Sequence, residues 1–180
     1  FRSYQEIQEY FQMYGIKNYL GKTIEDVHPG MLIYRDIRGE QNEDGTYQPA
    51  DGVINSNDRI KISNRSSNIY GFTVNFGCEW KSLSLSAQFN ANWGGYNIIN
   101  KGAYYLEDGY KDLLYTNMPS FWSDMFVYED IKDANGNVTV PANLDAKYPN
   151  LQYQDVNSQA STFWKVKSTS ISLRNITLAY

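Results

Sequence analysis

The sequence predicts an all-β protein: a portion of a transmembrane antiparallel β-barrel with long extracellular loops. Three observations carry that reading. The first is strict alternation of apolar and polar side chains over residues 70–80 and again over 83–93. The second is the make-up of the polar positions, which are Gly, Ser, Thr, Asn and Gln with almost no charge. The third is the coexistence of 16 Tyr and 4 Trp with a mean hydropathy of −0.57. Aromatics are plentiful while the average residue is polar, as in strands whose two faces meet different surroundings.

Composition removes several chemistries. One His (His28) and one Cys (Cys78) in 180 residues exclude zinc clusters, a disulfide framework and a CxxC redox pair. A net charge of −4 gives no reason to expect a nucleic-acid partner, because phosphate backbones need a basic face. No apolar run reaches the roughly 18 residues of a membrane-spanning helix. The chain opens on Phe1-Arg2-Ser3 with no signal peptide and stops inside a strand at Leu178-Ala179-Tyr180. Both ends read as cut, so the expectation is a piece of a longer polypeptide.

Residues 1–69 read as an extracellular loop region. It contains a short helix, with Ser3 as cap, Glu6 as capping-box partner, and a stripe of Ile7, Tyr10, Phe11 and Tyr14 that packs inward. A strand-like run follows from Met31 to Tyr34, then breakers from Glu40 to Ala50. Residues 70–93 read as a transmembrane hairpin. Tyr70, Phe72, Val74, Phe76, Cys78 and Trp80 share one face with Leu83, Leu85, Ala87, Phe89, Ala91 and Trp93, across a tight turn near Trp80-Lys81. The apolar face carries Tyr or Trp at its rims, as at membrane interfaces. Ser84, Ser86, Gln88, Asn90 and Asn92 fall on the other face and read as lumen-facing.

Residues 94–163 read as a long extracellular loop, and 164–180 as a further transmembrane strand. In that strand Ile171 and Leu173 share one phase while Ile176, Leu178 and Tyr180 share the other. The slip at Arg174-Asn175 predicts a β-bulge. Short turns of outer-membrane barrels face the periplasm and long loops face outside. The alternative from the same residues is a soluble β-sandwich carbohydrate-binding module, whose outward face should carry many Lys and Glu.

Several phrases resemble one family. GMLIYRDIR (30–38), followed after an insertion by DGVINSNDR (51–59), is similar to a strand followed by D-x-N-G-D-G-x-I-D-x-x-D. YGFTVNFGCEWKSLSLSAQFNANW (70–93) is similar to the adjoining hairpin, and YPNL (148–151) stands where that family often has a Pro-Arg-Leu phrase. FWKVKSTSISLRNITLAY (163–180) resembles S-x-W-L-x-x-x-S-Y-L-R-L-K-N-I-T-L-G-Y. The family is the SusC/RagA-type TonB-dependent outer-membrane transporters of Bacteroidetes. The resemblance implies a late segment of a 22-stranded barrel in the bacterial outer membrane. It also implies a SusD-like surface lipoprotein as lid, and TonB acting through an N-terminal part outside this sequence.

Two constellations stand out. Asp51, Gly52, Val53, Ile54, Asn55 and Asp58 match the later positions of a calcium loop, with Asp36 as its first ligand. Arg38 occupies the third position, where an oxygen is needed, and residues 40–50 interrupt the loop. Calcium therefore stays open beside a loop held by Asx-turns alone, and Asp44 or Glu43 are substitute ligands from the insertion. The second constellation is aromatic: Trp93, Tyr96, Tyr104, Tyr105, Tyr110, Tyr115, Phe121, Trp122, Phe126 and Tyr128. Such rings contact a sugar substrate, seat a lid partner, or mark a membrane rim.

His28 beside Pro29 makes no triad, and Glu107-Asp108 and Glu129-Asp130 read as solvated surface rather than glycosidase carboxylates. The sequons at Asn64, Asn137 and Asn175 are idle patterns in a bacterial barrel, and Cys78 reads as a small apolar side chain. No enzyme is expected. The expected function is nutrient import, of an oligosaccharide before an oligopeptide, in contact with outer-membrane lipid.

Overall fold

The computed structural model describes residues 1–99 and 120–180. The described chain is mostly sheet with few helices, and its largest sheet is antiparallel. It divides into two compact units. One comprises Phe1–Ile60 with Asn100–Gln159, the other Lys61–Ile99 with Ala160–Tyr180.

The first unit begins with helix α1, Tyr4–Tyr14. The Ser3 side chain accepts the Glu6 N–H at 3.2 Å, and the Glu6 carboxylate takes the Arg2 N–H at 2.5 Å. The capping partner is thus used one residue earlier than in the standard box. Gly15 ends the helix in the left-handed region, and the Ile16 N–H reaches back to the Phe11 carbonyl at 3.0 Å. Ile7 and Phe11 are buried with Phe1, Ile16, Tyr19, Val27, Met31, Ile54 and Val156 in one core. Beside the core, β1 (Asn18–Tyr19) pairs in parallel with β2 (Val53–Ile54).

The run from Met31 to Tyr34 is not a strand, contrary to its composition. Its backbone groups find side chains instead of a neighbouring strand. The Leu32 N–H donates to Asn157 Oδ1 at 2.7 Å, and the Tyr34 N–H donates to the Tyr19 hydroxyl at 2.9 Å. The Tyr19 and Tyr10 hydroxyls donate to the carbonyls of Leu32 and Tyr34. Asn157 is wholly buried and spends its amide on the Gly30 and Asn150 carbonyls at 3.0 and 2.8 Å.

The described parts of 1–69 and 94–163, read from sequence as loop regions, carry structure of their own. Residues 1–60 and the described part of 100–159 build one core between them, with Val156 buried against the helix residues. Within 120–159 lie a 3-10 helix (Ser120–Asp124), a hairpin of β5 (Ile131–Lys132) and β6 (Val138–Val140), and helix α2 (Gln154–Asn157).

The second unit is a three-stranded antiparallel sheet of β3 (Tyr70–Trp80), β4 (Leu83–Ile98) and β7 (Lys165–Ala179), with β4 in the middle. Trp80 faces Leu83 across a two-residue turn in which Lys81 has φ +58°. The bulge falls where the phase slip predicts it: Gln88 faces Asn175 and Phe89 faces Leu173, leaving Arg174 unpaired.

Strand β4 runs five residues past the expected end at Trp93. A second bulge between Asn92 and Gly95 carries it on, with Gly94 at φ +97°. A side chain there is strained and would also meet the Tyr70 ring 2.7 Å away. Gly94-Gly95 reads as a loop in sequence because glycine marks both turns and bulges.

Candidate functional site

The register arranges the sheet into rows that separate chemistry cleanly. On one face Phe72, Ala91 and Ile171 form a row; Val74, Phe89 and Leu173 the next; then Phe76, Ala87 and Ile176; then Cys78, Leu85 and Leu178. The Tyr70–Trp93 pair closes one end and the Trp80–Leu83 pair the other. The opposite face holds Gly71, Asn92 and Ser170; Thr73, Asn90 and Ser172; Asn75, Gln88 and Asn175; and Gly77, Ser86 and Thr177. Ser84, Ser86, Gln88, Asn90 and Asn92 thus share one face.

The polar rows bond across strands. Gln88 Nε2 donates to Asn75 Oδ1 at 2.9 Å, and the Thr73 hydroxyl reaches Asn90 Oδ1 at 3.4 Å. Glu79 is the charged residue of β3. Apart from Glu79, which faces Ser84 at one end, the polar face offers donors and acceptors to water or a sugar hydroxyl without a fixed charge. The apolar face is open: Phe72 is 53% exposed, Ile176 60% and Ile171 79%. A continuous apolar surface of this extent is rare on a water-facing protein.

The acidic loop is assembled across its insertion. Residues 39–49 fold back on themselves: Gly39 N–H donates to the Gln48 and Pro49 carbonyls, and Gln48 N–H to the Glu40 carbonyl. Asp44 caps that tip through the Thr46 N–H and hydroxyl, which holds its carboxyl below the ordinary value. It is spent locally. Glu43 is exposed on the same excursion.

Folding back brings Asp36 to Gly52, whose N–H donates to Asp36 Oδ2 at 2.6 Å. Asp58 is buried, and its Oδ1 accepts the N–H groups of Ile37 and Arg38 while its Oδ2 accepts that of Asn55. Asp51 accepts the Val53 N–H at 2.9 Å and Asn55 the Asn57 N–H at 2.7 Å. Gly52 has φ +83°, and a Cβ there would lie 2.5 Å from the Gly15 carbonyl oxygen at the end of α1. The loop glycine is required by that joint.

Arg38, the residue that breaks the calcium pattern, turns inward along this loop. Its Nε donates to the Asn57 carbonyl at 2.5 Å, one terminal nitrogen donates to the Arg59 carbonyl at 2.6 Å, and its guanidinium stacks 3.7 Å from the Tyr47 ring. Among the described residues, no group of three or more His, Cys, Asp or Glu side chains gathers as an ion site. The named oxygens mostly serve backbone N–H groups. One does not: Asp36 Oδ1 is buried with no hydrogen-bond partner. Burial raises the Asp36 pKa, and the neighbouring Asp58 and Asp51 charges push the same way against the Gly52 N–H. A proton or a cation at Asp36 would relieve that contact.

The described members of the aromatic set are divided between the two units. Tyr104, Tyr105, Tyr110 and Tyr115 lie outside the described residues, as do the side chains of Phe121 and Trp122. Phe126 is buried in the first unit, and Tyr128 packs edge-on against Tyr4 at 5.4 Å there. Trp93 and Tyr96 belong to the second unit, where Trp93 packs on Tyr70 and Phe72 at 6.1 and 5.8 Å. Sequence reasoning missed the cluster around Tyr10, Tyr19 and Tyr34. Its only signal was the helical stripe that ends at Tyr14.

No family model, no curated protein and no solved structure matches this chain.

Proposed function

We propose that this chain is a segment of the barrel wall of a TonB-dependent outer-membrane importer of nutrient oligomers, glycans before peptides, working with a SusD-like surface lipoprotein. The single observation that carries the proposal is the sheet with one uncovered apolar face, rimmed by aromatics, and one hydrogen-bonding face that is almost uncharged. Dimensions agree with it. The eleven residues of β3 extend about 35 Å, and at the roughly 40° tilt of such barrels they cross about 27 Å, enough for an apolar band about 25 Å tall.

In this reading the apolar rows meet lipid, and Ser84, Ser86, Gln88, Asn90 and Asn92 line an aqueous lumen. The outer edges of β3 and β7, unpaired among the described residues, join neighbouring strands of a longer chain, because open edges are not viable in lipid. The sheet does no chemistry: it encloses, and energy comes from TonB acting elsewhere in the protein. A sandwich module would need a second sheet packed over the apolar face, and its outward face would carry many Lys and Glu, unlike the polar rows of this sheet.

The test is fractionation of the full-length protein. It should sediment with the outer membrane, require detergent for release, and migrate faster in SDS unboiled than boiled. Recovery in the soluble fraction without detergent overturns the proposal. A second reading concerns only the acidic loop: the partnerless Asp36 oxygen favours a calcium ion held by Asp36 with Asp51, Val53, Asn55 and Asp58.

A further inference from the structure

We propose that a basic pocket on the outer face of the sheet, just beyond its aromatic row, binds the phosphate of an anionic lipid headgroup; the proposal rests on the barrel reading above. The bulge at Trp93-Gly94 sets its position. Beyond it Gly95 faces Ser168 and Asn97 faces Val166, while Tyr96 faces Lys167 and Ile98 faces Lys165. Ser168 lies two residues from Ser170, the partner of Asn92, so Gly95 and Asn97 continue the polar face. Tyr96, Lys165 and Lys167 therefore continue the apolar one. Along that face the aliphatic rows give way to the Tyr70–Trp93 pair, and then to Tyr96 and the lysines.

The Tyr96 N–H donates to the Arg65 carbonyl at 2.9 Å, which draws residues 61–65 alongside β4. Residues 61–65 with Tyr96 and Lys165 line an open pocket of about 360 Å³. Lys165 is held in place: its ammonium sits 4.2 Å over the Tyr96 ring and donates to the Ile62 carbonyl at 3.2 Å. Lys61 and Arg65 complete a trio of cations. Among the described residues the salt bridge is Lys22–Asp155, in the other unit, and no carboxylate pairs with any of the three. Three uncompensated cations in one concavity, in a chain of net charge −4, fit a compact polyanion with several acceptor oxygens.

The face decides which polyanion. A transported solute meets the polar face, whereas Tyr96 and Lys165 lie on the side turned away from it. On that side an aromatic row marks where hydrocarbon ends and headgroups begin. Cations immediately beyond it lie level with anionic headgroups. A lipid phosphate fits this position and a lumenal substrate does not.

The full-length protein is to be compared with its Lys61→Gln/Arg65→Gln/Lys165→Gln variant, both purified in neutral detergent. Three probes are titrated: mixed micelles carrying phosphorylated lipid A, micelles of phosphatidylcholine alone, and inorganic phosphate. At low ionic strength the triple variant should bind the lipid A micelles about a hundredfold more weakly, the effect of three cations at an anionic surface. The difference should shrink as salt is raised. The single variants Arg65→Gln and Lys165→Gln should each lose about fivefold, and unboiled SDS mobility checks that each retains its fold.

Equal affinity of wild type and triple variant for lipid A micelles overturns the proposal, as does equal wild-type binding to phosphatidylcholine. Inorganic phosphate binding as tightly as the lipid also overturns it, because the source is then a soluble anion. The fate of the barrel reading is separate. A protein that sediments with the outer membrane but ignores lipid A loses only this proposal, whereas a soluble wild type loses the importer itself.

Discussion

Tyr19 has no exposed surface, and its ring sits among Phe1, Phe11 and Tyr34. Burial raises its phenol pKa, so the hydroxyl stays protonated and able to donate to the Leu32 carbonyl while accepting the Tyr34 N–H. Tyr10, with its pKa pushed up to about 12 by burial, does the same for the Tyr34 carbonyl. Tyr19→Phe should cost about 2 kcal/mol, because it takes this partner from a part-buried carbonyl and a part-buried N–H together. Tyr14→Phe, at a ring 60% exposed, should be nearly silent; a thermal melt of both variants checks the contrast. The inward stripe was legible in the spacing of Ile7, Tyr10, Phe11 and Tyr14. The hydroxyl partners were not, because they lie on residues 32 and 34, whose composition argued for a strand. Asp36 gives a pH-dependent case. Its folded pKa is raised above the ordinary 3.8, so its contribution to stability is present below 3.8 and is lost as pH rises through the raised value. Asp36→Asn removes that cost: the variant should melt no lower than wild type at pH 7, and the advantage should vanish in acid. If calcium occupies the loop, millimolar calcium should raise the wild-type melting temperature and leave Asp36→Asn unmoved.

Strands β3 and β4 were legible because period two is a direct imprint of the pleat, and register is set once a two-residue turn is fixed at Lys81-Ser82. The bulge at Arg174 was legible for the same reason: an odd residue inverts the phase of every later position in the strand. The end of β4 was not, because Gly94 breaks the pattern whether it closes a strand or kinks one. The nature of the apolar face is tested within one element. Val74 and Thr73 are adjacent in β3 and point to opposite faces. If the apolar face meets lipid, Val74→Arg should cost about 2–4 kcal/mol and lower the yield of folded protein in the membrane, while Thr73→Arg on the polar face should be tolerated. A buried protein core would also reject Val74→Arg, so size supplies the discriminating variant. Ala87→Phe, in the row with Phe76 and Ile176, adds volume that lipid yields to and a packed interior does not. Wild-type yield and unboiled mobility support a lipid face; a loss of about 1–3 kcal/mol indicates a second protein layer.

At the scale of the whole molecule, the two units differ in what holds them. The sheet unit is stitched by neighbouring strands and was readable from local pattern. The other unit joins residues 1–60 to residues 120–159, and its core depends on contacts more than a hundred positions apart. Periodicity carries no information about such contacts. Asn157 is the clearest tie: its carbonyl oxygen takes the Leu32 N–H, and its amide bonds the Gly30 and Asn150 carbonyls. Nothing in Gln154–Asn157, a one-turn helix, marks this Asn as different from any loop Asn. Asn157→Ala removes the partner of the Leu32 N–H and of the Asn150 carbonyl, while the Gly30 carbonyl keeps the Asn150 N–H, and should destabilise its own unit by about 2 kcal/mol or more. In the full-length protein, amide exchange should speed up at residues 28–34 and 148–153. The sheet should be unaffected: membrane fractionation, unboiled SDS mobility and exchange in β3, β4 and β7 should match wild type. If the first unit seats a lid, retention of the surface lipoprotein should fall in the same variant. Accelerated exchange spreading equally through the sheet would mean that the chain opens as one cooperative body, and the independence of the two units would be lost.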